Sequence, residues 1–239
     1  TFAAHVVEYL LCVTFAFQVL PRFKLRRSMV NRKSMTSLLT YSSKTAIIEI
    51  ANLLRLKLDF LVIGKMLGLS AVTPYAVGAR LIDYFGELMG SLIGNLMPLF
   101  SRYEGSDDYP GIRDGLLTLI PFNTLFAISI GGSILFPGEA FIMWWMGPKF
   151  SDSFQVVEIL VVAMTISLMQ VIGGNVLMGT SKHKTYALFS LAGAIFNVIL
   201  SIVLARHLGI FGVALATAIE ISILKLCIFP PLIARAIHM

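Results

Sequence analysis

The sequence predicts an all-α integral membrane protein with about seven transmembrane helices. Of its 239 residues, 57% are hydrophobic and only 13% are charged, whereas soluble domains contain about 25% charged residues. The apolar residues form runs of roughly 20, the length that an α-helix needs to cross a bilayer. The net charge of +6 comes mostly from basic residues in short loops between these runs. That distribution is typical of membrane topology, and no nucleic-acid partner is expected.

The first predicted span occupies residues 2–20, and Pro21 ends it because proline interrupts a helix interior. A basic stretch, residues 21–44, separates it from the second span at about Thr45–Met66. Five further apolar runs have the length of a span. They lie at about residues 75–100, 116–136, 154–178, 186–205 and 210–233.

Proline also marks the edges of later spans. Pro74 suits the first turn of the third span, and Pro230 and Pro231 are expected to bend or end the seventh. Before the second span, an interfacial turn is expected through Ser34–Ser43.

The loop after the first span is strongly basic, which predicts that it lies in the cytoplasm. Its basic residues are Arg22, Lys24, Arg26, Arg27, Arg32 and Lys33. Alternation of the spans then places loops 101–114 and 181–184 and the C-terminus on the same side. The outer loops between them contain few basic residues, so the predicted orientation is consistent along the chain.

One outer segment, FPGEAFIMWWMGPKF, contains Trp144 and Trp145 between proline and glycine residues. Adjacent tryptophans at a membrane edge are ordinarily interfacial anchors, and that is the prediction here. A platform on which sugars stack is the alternative.

The second span contains several ionisable or polar side chains. They are Glu49, Asn52, Arg55, Lys57 and Asp59. Because charge near the bilayer centre is costly, such residues ordinarily face a protein interior or a water-filled cavity. At about 100° per residue, all but Lys57 fall within one arc, and Lys57 points roughly the other way. We expect the arc to line a cavity inside the membrane.

The third span repeats this pattern. On one side of it lie Arg80, Asp83, Tyr84, Glu87, Ser91 and Asn95. One alternative is that Arg55–Asp59 and Arg80–Asp83 are pairs that neutralise each other in a buried bundle. Arg55 is nevertheless expected to face the cavity, because a guanidinium keeps its charge and binds phosphate through bidentate hydrogen bonds.

Two later spans carry further polar residues. Lys225 is another candidate for the cavity, while Glu220, five residues earlier, is expected on a different face of the seventh span. Lys57 is either a second ligand contact or a side chain that reaches towards an interface. The sixth span has a stripe of small and polar residues that is more typical of close helix packing. These residues are Ser190, Ala194, Asn197 and Ser201.

The sequence lacks the residue patterns typical of catalytic and cofactor sites. Its four histidines are scattered over helix ends and loops, and Cys12 and Cys227 lie in apolar runs near opposite ends of the chain. Its paired glycines do not join a strand to a helix as a phosphate-binding loop does. We therefore expect no enzyme activity, no metal and no cofactor.

With these features placed, the sequence resembles a known family. The resemblance lies in the stretches DFLVIGKMLGLSAVTPYAVGARL (59–81), NLMPLFSR (95–102), PGEAFIMWWMGPKFSDS (137–153), NVLMGTSKHK (175–184) and HLGIFGVALATAIE (207–220). Together and in this order they resemble the Wzx-type O-antigen flippases. These form the polysaccharide-export branch of the multidrug/oligosaccharidyl-lipid/polysaccharide exporter superfamily.

The resemblance implies a MATE-like transporter with two lobes. Residues 1–20 would be the last helix of the N-terminal lobe, residues 21–44 a cytoplasmic loop between the lobes, and residues 45–239 the C-terminal lobe. Since the chain begins inside an apolar run without an initiator Met, an N-terminal part is expected to be missing.

The resemblance also implies a function. Family members flip undecaprenyl-pyrophosphate-linked oligosaccharide by alternating access across the cytoplasmic membrane of a bacterium or archaeon. The implied substrate-binding candidates are Arg55 and Lys57, which would meet the pyrophosphate, with Asn52, Arg80 and Lys225. The candidates for coupling to protons or sodium are Glu49, Asp59, Asp83 and Glu87. The implied partners are the lipid-linked oligosaccharide, membrane lipids, the N-terminal lobe of the same protein and polysaccharide polymerase machinery.

Other functions stay open at this point. Two of them use the same fold: MATE-type drug/cation antiport and lipid II flipping. A drug/cation antiporter would be expected to have an acidic, aromatic cavity. The mixed to basic balance of Arg55, Lys57, Arg80 and Lys225 argues against the drug antiporter. A seven-helix retinal protein or receptor is a more distant alternative that depends on Lys225 in the last span. A purely structural subunit is disfavoured by the charged stripes.

Overall fold

The computed structural model describes residues 2–19, 31–93, 96–179 and 183–236, and it contains helices but no strand within those ranges. The chain divides into two compact units, Thr1–Ser43 and Lys44–Met239. The first unit holds α1 (Phe2–Val19) and the start of α2 (Arg32–Met66). The second unit holds the remainder of α2 and all later helices.

Helix α2 runs without interruption for 35 residues. The interfacial turn expected over Ser34–Ser43 is therefore part of a long helix. The physical reason is that no glycine or proline lies between residues 31 and 63, so nothing local ends the helix before its apolar part. Gly68, with φ of 92°, follows the helix in the left-handed conformation that commonly ends helices.

The third predicted span is divided in the structure. Helix α3 (Leu69–Ile93) and α4 (Met97–Gly105) are separate helices, so the predicted span over 75–100 is not one continuous helix. Pro74 lies inside α3 and not in its first turn, because the helix starts six residues earlier than predicted. Pro98 instead lies in the first turn of α4, where a missing N–H costs nothing.

Helices α5 to α8 follow in sequence. They are α5 (Tyr109–Leu135), α6 (Gly138–Met146), α7 (Ser151–Met169) and α8 (Val171–Gly179), with a short 3₁₀ turn at Pro148–Phe150 before α7. The N-terminus of α5 is capped by Asp108, which accepts a hydrogen bond from the Gly111 N–H at 2.9 Å. The predicted fifth span is interrupted at Gln170, between α7 and α8.

The last part of the chain doubles back on itself. Helix α9 (His183–Ser222) contains a non-helical residue, Gly209, with φ of 59° and ψ of −137°. We call residues 183–208 the first limb of α9 and residues 210–222 the second limb. A π-helical turn (Ile223–Ile228) leads into α10 (Phe229–Ala236), so the helical path continues through Pro230 and Pro231.

Among the described residues, three helical stretches are long and apolar enough to cross a membrane: Tyr109–Leu135, Pro148–Met169 and Thr185–Arg235. The third is 51 residues long and contains the Gly209 break, so it covers the predicted sixth and seventh spans. The all-α membrane class is thereby confirmed. The count of seven spans and their orientation stay predictions.

Helix α7 is central to the second unit, where it contacts α3, α5 and α9. One core cluster around Ile63, Tyr75 and Val157 includes residues of α2, α3, α7 and α9. Another, around Phe100 and Phe229, includes residues of α4, α5, α8 and α10. Tyr75 of the first cluster donates a hydrogen bond to the buried carboxylate of Asp59.

The aromatic helix α6, which belongs to a predicted outer segment, buries Gly138 and Ile142 and exposes its tryptophans. Trp144 is 82% exposed, and Trp145 stacks on Phe141 with ring centroids 5.7 Å apart. This exposure fits the predicted interfacial anchor and also fits a sugar platform. The anchor accordingly stays a prediction.

Candidate functional site

Asp59, near the end of α2, is a buried carboxylate with only 4% of its surface exposed. The Tyr75 hydroxyl donates a hydrogen bond to Asp59 Oδ2 at 2.9 Å. The Thr217 hydroxyl donates to the same oxygen, also at 2.9 Å. A longer contact of 3.4 Å joins the Ser201 hydroxyl to Asp59 Oδ1. Three hydroxyl groups from two other helices thus surround this carboxylate.

Asn197 contacts Asp59 indirectly, through a hydrogen bond to Thr217. Its Nδ2 donates to Thr217 Oγ1 at 2.9 Å, which orients the threonine hydroxyl so that its own proton points at Asp59. The side chain of Asn197 is fully buried, and its Oδ1 has no hydrogen-bond partner among the described residues. We call these five residues, Asp59, Tyr75, Asn197, Ser201 and Thr217, the Asp59 cluster.

The Gly209 break explains how one helix supplies three members of the cluster. Asn197 and Ser201 are four residues apart on the first limb of α9 and therefore share a face. Thr217 lies on the second limb, which returns past the first. At Gly212 the limbs come so close that a Cβ would overlap the backbone of Leu204. Glycine therefore permits the approach that places Thr217 beside Asn197.

A cavity of about 130 Å³ lies beside the cluster. Asp59, Tyr75 and Thr217 contribute to its wall, together with Lys57 and Asp83. Lys57 lines the same cavity as Asp59, although the two residues are predicted on different sides of α2. The angular argument considers only the direction of the Cα–Cβ bond, whereas the four-carbon stem of lysine lets its ammonium group reach around a helix.

Beyond the cavity, α3 presents a charged stripe, which we define as Arg80, Asp83, Tyr84 and Glu87. Arg80 lies 3.6 Å from Asp83, 4.0 Å from Glu87 and 4.6 Å from the centre of the Tyr84 ring. The predicted Arg80–Asp83 pair therefore forms. It is not buried in the helix bundle, however, because the side chains of Arg80 and Asp83 are 53% and 42% exposed.

Lys225 lies in different surroundings. Its ammonium is 4.2 Å from the centre of the Phe229 ring and 6.0 Å from that of Tyr186, and Lys225 is not among the residues that line the Asp59 cavity. Glu220 is buried against Gly193. Since the π-helical turn begins at Ile223, the ordinary 100° spacing between Glu220 and Lys225 does not apply.

Several predicted site residues fall outside the described side chains. Glu49, Asn52 and Arg55 lie in α2, but only the helical backbone is described at these positions. Asn95 lies outside the described residues altogether. The cavity role of Arg55 and the Arg55–Asp59 pair therefore stay predictions.

The hydroxyl and amide members of the cluster were not recognised as site residues from the sequence. The sequence pattern indicates helix packing for Asn197 and Ser201 and gives no sign of a site role for Tyr75 and Thr217. The usable signal was that Asn197 and Ser201 are one turn apart within an otherwise apolar span, where polar side chains need a partner. No group of three or more His, Cys, Asp or Glu side chains able to hold a metal occurs in the described part of the chain.

The fold and the site define a multi-pass α-helical membrane protein in which polar groups of α3 and α9 converge on a buried carboxylate of α2. Residues 2–155 match the profile of the family described as "Polysaccharide biosynthesis protein". The chain belongs to this family, as the sequence resemblance predicted.

Curated relatives agree with that assignment. The chain is 27% identical over 241 residues to the uncharacterized membrane protein EpsK of Bacillus subtilis, covering 96% of this chain and 46% of EpsK. It is 22% identical over 191 residues to the probable low-salt glycan biosynthesis flippase Agl15 of Haloferax volcanii, covering 80% of this chain and 40% of Agl15. The chain thus spans less than half the length of these relatives. No solved structure matches it significantly.

Proposed function

We propose that the complete protein flips a lipid-linked oligosaccharide across the cytoplasmic membrane of a bacterium or archaeon, with undecaprenyl pyrophosphate as the carrier. The observation that carries this proposal is a cavity whose mostly apolar wall also includes the ionisable residues Lys57, Asp59 and Asp83, inside a membrane protein of a polysaccharide biosynthesis family. The name of the relative Agl15, a probable glycan biosynthesis flippase, supports the same function.

The exposed charged stripe of α3 supports a transport path. Ionised groups exposed to acyl chains are costly, and such residues ordinarily face other protein or a water-filled cavity. We propose that α3 crosses the membrane, in which case the Glu87 side chain, which is 65% exposed, needs a polar covering from outside the described residues. We infer that the N-terminal lobe of the complete protein faces the stripe across a hydrated cavity, through which the glycan and the pyrophosphate pass.

The basic residues on this side of the chain are the proposed substrate contacts. Lys57 lines the Asp59 cavity, and Arg80 belongs to the exposed stripe. Arg55 lies two residues before Lys57 in α2, and we propose that its guanidinium binds the pyrophosphate with Asn52 nearby. Lys225, which packs over aromatic rings, is proposed as a more distant contact.

Asp59 is the proposed ion-coupling residue. We propose that the Asp59 carboxylate binds and releases a proton or a small cation during transport, which changes the charge inside the cavity. Asp83, Glu87 and Glu49 are the further acidic candidates. Because the hydrogen bonds of Asp59 join α2, α3 and α9, a change of charge at Asp59 acts on three helices at once.

The function is tested by reconstituting the complete protein in vesicles with a fluorescent oligosaccharide on undecaprenyl pyrophosphate. Transfer of the glycan to the opposite leaflet, measured by its accessibility to a membrane-impermeant quencher, is the expected result. Transfer of lipid II alone, or uptake of cationic drugs without glycan flipping, would instead support one of the two other transporter functions.

Replacing Arg55 with alanine is expected to abolish surface polysaccharide while the protein stays in the membrane. The reason is that alanine removes the bidentate contact proposed for the pyrophosphate. The measurement is surface polysaccharide in cells that express equal amounts of each variant. Arg113→Ala, which changes an exposed arginine of α5, is the matched control. Export at the wild-type level by Arg55→Ala would show that Arg55 has no role in transport.

A further inference from the structure

The helices of the Lys44–Met239 unit pack around two main hydrophobic cores. The first core cluster, around Ile63 and Val157, includes residues of α2, α3, α7 and α9. The second core cluster, around Phe100 and Phe229, includes residues of α4, α5, α8 and α10. Helices that continue from one cluster into the other therefore have to pass between two separately packed bodies.

Two helical paths in the described part of the chain are interrupted on this passage. Helix α7 packs in the first cluster and ends at Met169, whereas α8, which begins at Val171, packs in the second. The second limb of α9 leaves the first cluster through the π-helical turn at Ile223–Ile228 and continues as α10 in the second. Such turns are rare and are found frequently at functional sites.

Helix α5 crosses the same passage without ending, but it contains Pro121 there. Ile120 packs on the second cluster, and the residues of α5 that pack on the first, Ile134 and Leu135, lie beyond the proline. Pro121 offers no N–H to the Leu117 carbonyl, and its ring disturbs the preceding turn. The helix is therefore least rigid where it leaves the second cluster.

The side chain of Asn123 connects this weak point of α5 to the break between α7 and α8. The amide is buried and donates hydrogen bonds to the carbonyl groups of Leu168 and Met169 at 2.6 and 3.2 Å. These carbonyls lie at the end of α7, where a helix leaves its last carbonyls without helical partners. Asn123 thus satisfies the end of α7 and holds α5 against it.

The π-helical turn lies near the same level. Its Leu224 packs in the second cluster with Ile172, which follows Gln170 by two residues, and the turn contacts α7. We call Pro121, Asn123, Gln170 and Ile223–Ile228 the core boundary. Sharp helix bends are nearly always found at a proline, at a π-helical turn or where a side chain enters the backbone hydrogen bonds. The core boundary combines all three.

The helices beyond the core boundary form one packed body. Helix α8 contacts both α4 and α10, and a Cβ at Gly173 would overlap the Ile233 side chain of α10. The first limb of α9 remains helical between the clusters, with Tyr186 packed on the second and Ala205 in the first. This limb therefore joins the two bodies continuously, while the other paths are weakened between them.

We propose that the Lys44–Met239 unit bends at the core boundary, so that α4, α8, α10 and the first part of α5 pivot together against the helices of the first cluster. Asn123 holds the unbent conformation, because its two hydrogen bonds exist only while α5 lies against the end of α7. Both conformations are populated, since the net contribution of two hydrogen bonds is small. The bend goes beyond the proposed function, because it requires no particular substrate and no coupling ion.

The test measures distances between spin labels by double electron–electron resonance in the complete protein in nanodiscs, with other cysteines replaced by serine. One pair, at Arg113 of α5 and Asp152 of α7, crosses the core boundary. The control pair, at Asp152 and Arg206, lies on two helices of the first cluster. All three positions are exposed. We expect the distance distribution of the crossing pair to be at least about twice as wide as that of the control pair, because only the crossing pair reports a bend.

Asn123→Leu is expected to move the crossing pair towards the bent conformation, by about 5 Å or more, and to leave the control pair unchanged. Ser129→Leu, at an exposed position of the same helix, is the matched control and should change neither pair. A wild-type crossing distribution as narrow as that of the control pair would overturn the proposal. An equal change of both pairs in Asn123→Leu would also overturn it.

A second variant decides the proposal even if Asn123→Leu does not fold. Pro121→Ala restores the N–H that the Leu117 carbonyl lacks and should stiffen α5, so the crossing distribution is expected to narrow to about the width of the control pair. Pro98→Ala is the matched control, because Pro98 lies in the first turn of α4, where no hydrogen bond is regained. A crossing distribution of unchanged width in Pro121→Ala would contradict the pivot.

Discussion

Replacing Asp59 with asparagine is expected to lower glycan flipping by the complete protein at least about tenfold and to leave the protein folded. Asparagine has the same shape and keeps an oxygen that accepts hydrogen bonds from Tyr75 and Thr217. It cannot take up and release a proton, and it carries no charge to attract a cation. The measurement is the flipping rate in vesicles with and without a proton or sodium gradient, which should accelerate only the wild type.

Two control variants distinguish a loss of ion coupling from a loss of folding stability. Asp152→Asn changes an exposed carboxylate at the start of α7 and is expected to respond to the gradient like the wild type. Asp59→Ala leaves the buried hydroxyls of Tyr75 and Thr217 without their acceptor, at a cost of about 1–3 kcal/mol for each unsatisfied group, so its melting temperature should fall. A gradient response of Asp59→Asn equal to that of the wild type would show that the coupling ion binds elsewhere.

Replacing Gly212 with alanine is expected to destabilise the protein by about 3 kcal/mol, a value at the upper end for overpacked interiors. The added methyl group would overlap the backbone of Leu204, and a backbone cannot rotate away as the end of a side chain does. The two limbs of α9 would have to separate, which pulls Thr217 away from Asn197. The measurement is thermal unfolding in detergent together with the flipping rate.

Gly132→Ala is the matched control for this prediction. Gly132 is also helical, but a Cβ there would meet nothing within 4 Å, so the substitution should be neutral or slightly stabilising because alanine favours helix. A Gly212→Ala protein as stable as Gly132→Ala would mean that the limbs of α9 do not pack as closely as the structure has them.

The membrane class and the later spans were predictable from local sequence. Residues 116–136 and 186–233 are apolar over the length that a bilayer requires, and helices occupy these stretches. The helix boundaries were less predictable. The break at Gln170 has no glycine or proline at the point where the helix stops, so the apolar pattern gives no sign of it. The division of the third span does coincide with Gly94 and Pro98, which are breaker residues, but the apolar run continues on both sides of them.

For the candidate site, the sequence by itself determined that Asp59 needs a polar environment, since a carboxylate inside an apolar span is otherwise too costly. The tertiary structure alone decided which groups provide it. Ser201 and Thr217 lie 142 and 158 residues away along the chain, and they meet Asp59 only because α9 reverses at Gly209. Local patterns report the face on which a residue lies, whereas hydrogen bonds between distant segments depend on how whole helices pack.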